Sequence, residues 1–345
     1  MAPSWLAQRR LTDALRDTGR VVLAVAGTAL PLVACSEPAL HSQSDREPPA
    51  TRHTPAAPTA IGQEPAPNDA GCIHPVCNVD SPATRFVIIG DYGLSGPNEA
   101  NVAELASRLK PGFIITTGDN NYPLGEAETI DENIGRYFHS FIAPYQGKFG
   151  EGDNHGENRF FPSLGNHDWY APGAKPYFDY FTLPNNERYY QLRRGNVQLF
   201  AIDSDAAEPD GMTVDSKQAH WLREQLAASA APWRVVFFHH PPYSSSTVHG
   251  STLAMRWPFA EWGASIVYSG HDHTYERLVV DDFPYIVNGV GGNDLYELGD
   301  PLPESLVRHA DVHGLVLVTA TATEFVSRFL DERGEELDVF SLRHE

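Results

Sequence analysis

The chain has 345 residues, 41% of them apolar, and a formal net charge of −20 at neutral pH, which allows one large domain with a generous core and a solvated acidic surface. That acidity excludes binding along a nucleic-acid backbone, which wants a basic face, and excludes a polybasic membrane patch. Phosphate-bearing molecules would be repelled at long range, so affinity for one must come from the local field of bound cations.

In chain order, Arg9, Arg10, Arg16 and Arg20 precede the apolar stretch Val21 to Ala34, which is too short to span a bilayer as a helix and has the form of a secretory signal. It ends in Leu32-Val33-Ala34-Cys35, similar to a bacterial lipobox that leaves Cys35 as a lipidated first residue; the alternative is an ordinary export signal with an incidental cysteine. Residues 1–34 are therefore expected to be a lipoprotein-type export signal. The protein is expected to be exported and lipid-anchored to a bacterial membrane or cell surface through Cys35, or otherwise periplasmic or secreted. Arg9-Arg10 hints at twin-arginine export, although Asp13 and Asp17 interrupt the pattern.

Residues 35–82 read as a tether, because Ser36 to about Ala70 is rich in Pro, Ala, Ser, Thr and Glu and lacks apolar periodicity. Cys72 and Cys77 stand close enough to form a disulfide loop in an exported chain. A zinc site made from them and His74 would lack a fourth ligand.

The periodic structure lies in 83–345. Phe86 to Gly90 and Phe113 to Gly118 are strand runs on either side of a helical pattern over Glu99 to Leu109. Such a unit places both strand exits on one edge, where ligands bind in open α/β sheets. Pro123 to Arg159 carries few element signals. Phe160 to Gly165 and Val197 to Ile202 read as strands, and Arg193 to Asn196 as an exposed hairpin turn. A helix over Ser216 to Ala228 is expected, with Ser216 as N-cap and Ala219, Leu222 and Leu226 inward. Further strands are Arg234 to Phe238, Ser265 to Ser269, Tyr285 to Gly289 and Leu315 to Ala320, and a helix is expected over roughly Thr252 to Trp262. A hairpin pairs Glu324 to Leu330 with Glu335 to Leu342. The late strands follow one another without helical crossovers, which favours two packed mixed sheets with helices outside.

Five short segments follow apolar runs: Gly90-Asp91-Tyr92-Gly93, Gly118-Asp119-Asn120-Asn121-Tyr122, Gly165-Asn166-His167-Asp168, Val236-Phe237-Phe238-His239 and Gly270-His271-Asp272-His273. Any one alone reads as a cap or turn. Jointly they offer mixed oxygen and nitrogen donors suited to hard and borderline ions such as iron, zinc or manganese. Gly289 to Asn293 lacks the lysine of a phosphate-binding loop and the helix of a dinucleotide fingerprint, and reads as a tight loop near the site.

In this order the segments resemble those of the calcineurin-like metallophosphoesterases, and within them the purple acid phosphatases, over about Arg85 to Leu342. The superfamily's first segment commonly reads Asp-x-His; here that place is Gly93, and the second segment ends in Tyr122, the purple acid phosphatase pattern. The resemblance implies an α/β, four-layer αββα sandwich of two mixed sheets flanked by helices. It also implies Fe(III) held by Asp91, Tyr122, His273 and a bridging Asp119, beside a divalent iron, zinc or manganese ion held by Asp119, Asn166, His239 and His271. A trivalent hard ion suits a phenolate. The family's spacing from Val236 selects His239, so His240 is expected to point elsewhere, either against the ligands from behind or at the surface.

Metal-bound water is acidic, about pKa 7 on zinc and lower on a trivalent ion, so the expected chemistry is phosphate monoester hydrolysis by metal-activated hydroxide with an acid optimum. His167 and His249 are the residues expected to protonate the leaving group or anchor phosphate. Asp168 is expected to orient His167 or cap the following turn, and Asp272 to face solvent or a backbone amide. A phosphodiesterase or nucleotide pyrophosphatase on the same centre is the main alternative, and a non-catalytic surface binding lipoprotein a more distant one. The expected partner is a phosphorylated small molecule, with no nucleic acid and no membrane contact beyond the Cys35 anchor.

Overall fold

A computed structural model describes residues 82–344 except residue 154; the expected signal, the cysteine loop and the tether up to residue 81 lie outside it. Among the described residues, thirteen strands form two sheets. The first contains β1 (Thr84–Ile89), β2 (Phe113–Thr116), β3 (Phe160–Pro162), β11 (Gly314–Ala320), β12 (Glu324–Asp331) and β13 (Glu336–Arg343), in the order β13-β12-β11-β1-β2-β3. The second contains β4 (Tyr190–Arg194), β5 (Val197–Ala201), β6 (Trp233–Phe237), β7 (Ile266–Ser269), β8 (Tyr275–Val280), β9 (Phe283–Asn288) and β10 (Ser305–His309), in the order β10-β8-β9-β7-β6-β5-β4. Both sheets are mixed. The β1-β2-β3 and β5-β6-β7-β9 neighbours are parallel and the flanking pairs antiparallel.

Strand periodicity builds the layers, since successive side chains point to opposite faces. Val235, Phe237, Ile266, Tyr268 and Ile286 join the large core with Phe86 to Ile89, Phe113 to Ile115 and Val316. Their neighbours in sequence, Val236, Phe238, Val267, Tyr285 and Val287, face a second core with Leu222 and Leu226. The first sheet is covered by helix α1 (Pro97–Leu109), which enters on Pro97, buries Val102, Leu105 and Ala106, and stops at Lys110 in the left-handed conformation. The second is covered by helix α2 (Lys217–Ala228), capped by Ser216 accepting from the Ala219 amide as expected. These layers are the expected sandwich.

The helix expected over Thr252 to Trp262 is absent. Only Leu253–Met255 makes one 3-10 turn, and the rest is turns that bury Trp257 and Phe259. Pro258 cannot donate the amide that a helix would need there. Residues 127–141, unread in the sequence, form consecutive short helical pieces with a π-turn at Asp131–Gly135. Among the described residues, no helix is long and apolar enough to cross a membrane.

Candidate metal centre

Strand exits present every expected ligand but Tyr122: Asp91 after β1, Asp119 after β2, Asn166 after β3, His239 after β6, and His271 and His273 after β7. Tyr122 comes three residues past Asp119. The backbone is left-handed at Asp91 (φ 55°), Asp119 (φ 51°) and His271 (φ 70°). Side-chain-bearing residues hold that conformation only where their surroundings enforce it, and Asp, Asn and His tolerate it best.

Neighbouring amides fix one oxygen of each carboxylate. The His271 N–H donates to Asp91 Oδ2 at 2.9 Å and the His167 N–H to Asp119 Oδ1 at 2.9 Å. The second contact needs Gly165, where a Cβ would lie 2.2 Å from Asp119 Oδ1. The other oxygens, Asp91 Oδ1 and Asp119 Oδ2, face Tyr122 Oη at 3.2 and 2.9 Å, and His273 Nε2 lies 3.1 Å from the same hydroxyl. Gly93, where the superfamily commonly has histidine, has no room for any side chain: a Cβ would stand 1.9 Å from the Asn120 carbonyl oxygen. The Gly93 carbonyl instead accepts from the Tyr122 N–H at 2.8 Å, holding the tyrosine that closes the site.

The histidines are oriented from behind. His239 Nδ1 lies 2.8 Å from Thr117 O, and His273 Nδ1 2.6 Å from Asp294 O. A carbonyl only accepts, so each ring carries a proton on Nδ1, and its Nε2, turned to the centre, is the nitrogen that would offer a lone pair to a cation. His239 Nε2 meets Asn166 Oδ1 at 3.0 Å, Asp119 Oδ2 at 3.3 Å and His271 Nδ1 at 3.1 Å. Two clusters of lone pairs thus share Asp119 Oδ2. Acceptors converging on acceptors fit a pair of cations, and the mixed oxygen and nitrogen donors fit hard and borderline ions.

In the protein alone, protons take the place of that charge. Burial, then Asp119 and Asp91, push the Tyr122 hydroxyl far above the ordinary phenol range. Burial pulls His239 down, but Asp119 and Asp91 outweigh it and raise the ring to about 10. Cations would invert both effects.

His167 lies beside the centre. Its Nδ1 is 2.6 Å from Pro123 O, its Nε2 is 3.9 Å from Asp119 Oδ2, and its ring packs on Tyr122 at 4.3 Å. The exposed His249 stacks on His271 at 4.0 Å. Asp272 is buried and accepts from the His249 and Gly250 amides, so it shapes the His249 loop and does not face solvent. Asp168 caps the turn through the Gly165 amide and also accepts from the Asn120 amide and side chain, tying the second segment to the third.

His240 lies beside the ligands and not at the surface, with a ring nitrogen within 4.8 Å of ligand atoms of His239 and His271. Ser204 Oγ holds its Nδ1 at 2.9 Å, and burial together with His239 draws the ring down to about 3, so it is neutral. Tyr296 escaped the sequence reading altogether. It stacks on His273 at 3.9 Å, and only its position just after the Gly289 to Asn293 loop could have signalled it. That loop packs on the first segment as expected, Gly291 N–H donating to Gly90 O and Asn293 N–H to Asp91 O.

A two-sheet α/β fold with this shared-acceptor centre defines a class of dinuclear phosphoesterases, and the chain belongs to the calcineurin-like phosphoesterase family, whose model matches residues 84–275. Within that family it is similar to purple acid phosphatases. It is 27% identical over 237 residues to purple acid phosphatase of Glycine max, covering 63% of this chain and 48% of that protein. It is 26% identical to Fe(3+)-Zn(2+) purple acid phosphatase 12 of Arabidopsis thaliana, covering 63% and 48%. A purple acid phosphatase structure from yellow lupin (Lupinus luteus) seeds shares the fold, with TM-score 0.63 and 16% identity over 77% of this chain and 54% of that one. The chain thus spans about half the length of these relatives.

Proposed function

We propose that the protein hydrolyses phosphate monoesters at a dinuclear centre of Fe(III) and a divalent iron, zinc or manganese ion. Asp91, Tyr122 and His273 would hold the trivalent ion, Asn166, His239 and His271 the divalent one, and Asp119 would bridge them. The observation that carries this reading is Tyr122 Oη, buried and within 2.9–3.2 Å of Asp119, His273 and Asp91. One of the similar proteins is named for an Fe(3+)-Zn(2+) pair. When bound, two such ions neutralise phosphate charge and make water nucleophilic near or below neutral pH.

The chain's own groups divide the remaining work. Asp119, its Oδ1 pinned by the His167 amide, turns Oδ2 to the shared position between Tyr122 Oη and His239 Nε2. His167, its Nδ1 committed to Pro123 O, would present Nε2 to the leaving oxygen as a proton donor or to phosphate as an anchor. His249, aligned by Asp272 through its backbone, would meet the substrate from beside His271. The test compares p-nitrophenyl phosphate with its bis ester, using metal-loaded full-length protein. We expect monoester turnover to dominate; a strong preference for the bis ester would replace this reading by a phosphodiesterase. Folded, metal-free protein with no turnover would support a binding role.

A further inference from the structure

Beside the centre lies a groove of about 540 Å³ walled by Leu124, Tyr170, Pro172 and Pro176. Leu124 and Tyr170 are 49% and 55% exposed, although large apolar side chains normally gain by burial. We infer that this groove seats the substrate's leaving group and selects an uncharged aromatic one. The inference rests on the phosphomonoester reading above and adds the class of substrate.

Continuity with the centre is the first argument. Tyr170 Oη accepts from Asn166 Nδ2 at 3.1 Å, while Asn166 Oδ1 faces His239. The Tyr170 ring meets His167 edge-on at 4.8 Å. On the other side His167 Nδ1 is held by Pro123 O, one residue before Leu124. Both apolar walls are therefore fastened to the surroundings of His167, the group placed to protonate the departing oxygen. An ester oxygen within reach of His167 carries its organic substituent towards this groove.

Chemistry of the walls is the second. A tyrosine ring and two prolines present flat apolar faces on which an aromatic ring packs well, and the volume is that of a small-molecule site. Sugar hydroxyls would lose water against Leu124 and the prolines, walls that offer them no partner away from the charged rim. Charge at the rim is the third argument. Glu126, Glu128 and Asp179 border the groove, and its lysine, Lys175, is already engaged by Asp179 at 2.6 Å. The remaining carboxylates repel anionic leaving groups such as nucleotides and polyphosphates.

Phenylphosphonate and methylphosphonate, which are not hydrolysed, separate this inference from the activity itself. Calorimetric titration of the metal-loaded full chain should give a roughly tenfold preference for the phenyl compound. Leu124→Asp, at an exposed position, should bring the ratio close to one, and Leu124→Ala should fall between. Turnover should follow, with the ratio of kcat/KM for 2-naphthyl phosphate over glycerol 2-phosphate falling about tenfold in Leu124→Asp, mainly through KM. Equal affinities in the wild type, or a ratio untouched by Leu124→Asp, would overturn the groove's role even with full phosphatase activity. A phenyl preference abolished by Leu124→Asp, in a protein that turns over no ester, would keep the groove and sink the phosphatase reading.

Discussion

Tyr122 carries more of the centre than any other residue, because three acceptors converge on one hydroxyl that burial and two carboxylates keep from ionising in the protein alone. A phenolate on Fe(III) absorbs visible light, so the metal-loaded protein should be coloured and Tyr122→Phe colourless. Absorbance spectra with parallel metal analysis check this, and a colourless wild type holding only zinc would end the iron assignment. Glu99 poses a different question. It is buried in the first turn of α1, and neither carboxylate oxygen has a hydrogen-bond partner. Burial pushes its carboxyl well above 4.5, and the opposing pull of Arg136 is weaker. In the unfolded chain the group ionises near its ordinary value, so above that pH folding takes up a proton and stability falls as pH rises. Glu99→Gln removes this penalty. Its melting temperature should exceed the wild type's at pH 7, and the gap should close as pH falls to about 4.5. A gap that stays constant with pH would rule out ionisation as its cause.

Elements were legible where one periodicity dominated. The runs of β1, β2, β6 and β7 are apolar on both faces because helices or a second sheet cover each side, and such runs stand out in a sequence. Their exits and that of β3 present the expected ligands, Tyr122 apart, because those residues follow soon after the runs that position them. Tyr275–Val280 hid because its polar Glu276 and Arg277 are satisfied by tertiary partners invisible in sequence. Segment 252–262 misled because Met255, Phe259 and Trp262, spaced as on one helical face, pack on the second core through turns. Tyr296 joins the centre only through the approach of the loop after β9, whereas His240 directly follows His239 on the exit of β6. The partners of β8 also bind the sheets together. Asp338 on β13 accepts from Tyr275 Oη at 2.8 Å and from Arg277 through two nitrogens at 2.7 and 3.0 Å. Asp338→Ala strands a guanidinium and a buried hydroxyl between the sheets, which should cost about 2–4 kcal/mol. Urea denaturation should show a lower midpoint with an unchanged slope. A loss below about 0.5 kcal/mol would mean that water takes over both groups.

The centre joins the two halves of the sandwich. Asp91, Asp119 and Asn166 leave strands of the first sheet, and His239, His271 and His273 leave strands of the second. Cations between them would act as a clamp at one edge, opposite in kind to the apolar core that fills the interior. Left-handed backbone at Asp91, Asp119 and His271 is a second reason to expect coupling, since strain of order 1–3 kcal/mol per residue persists only while something opposes its release. Ligands that bind the folded state alone stabilise it in proportion to the logarithm of their concentration over Kd. Stripping the metals with a chelator should therefore lower the melting temperature by on the order of 10 °C. The loss should be local before it is global. Amide exchange should quicken first at the carboxyl ends of β1, β2, β6 and β7, while β11 and β12, deep in the first sheet and remote from the ligand loops in sequence, stay protected. Adding back iron and zinc should restore both readings. If metal analysis shows an empty site and neither the melting temperature nor the exchange pattern has moved, the sheets are held by their core alone and the left-handed residues are stable without cations.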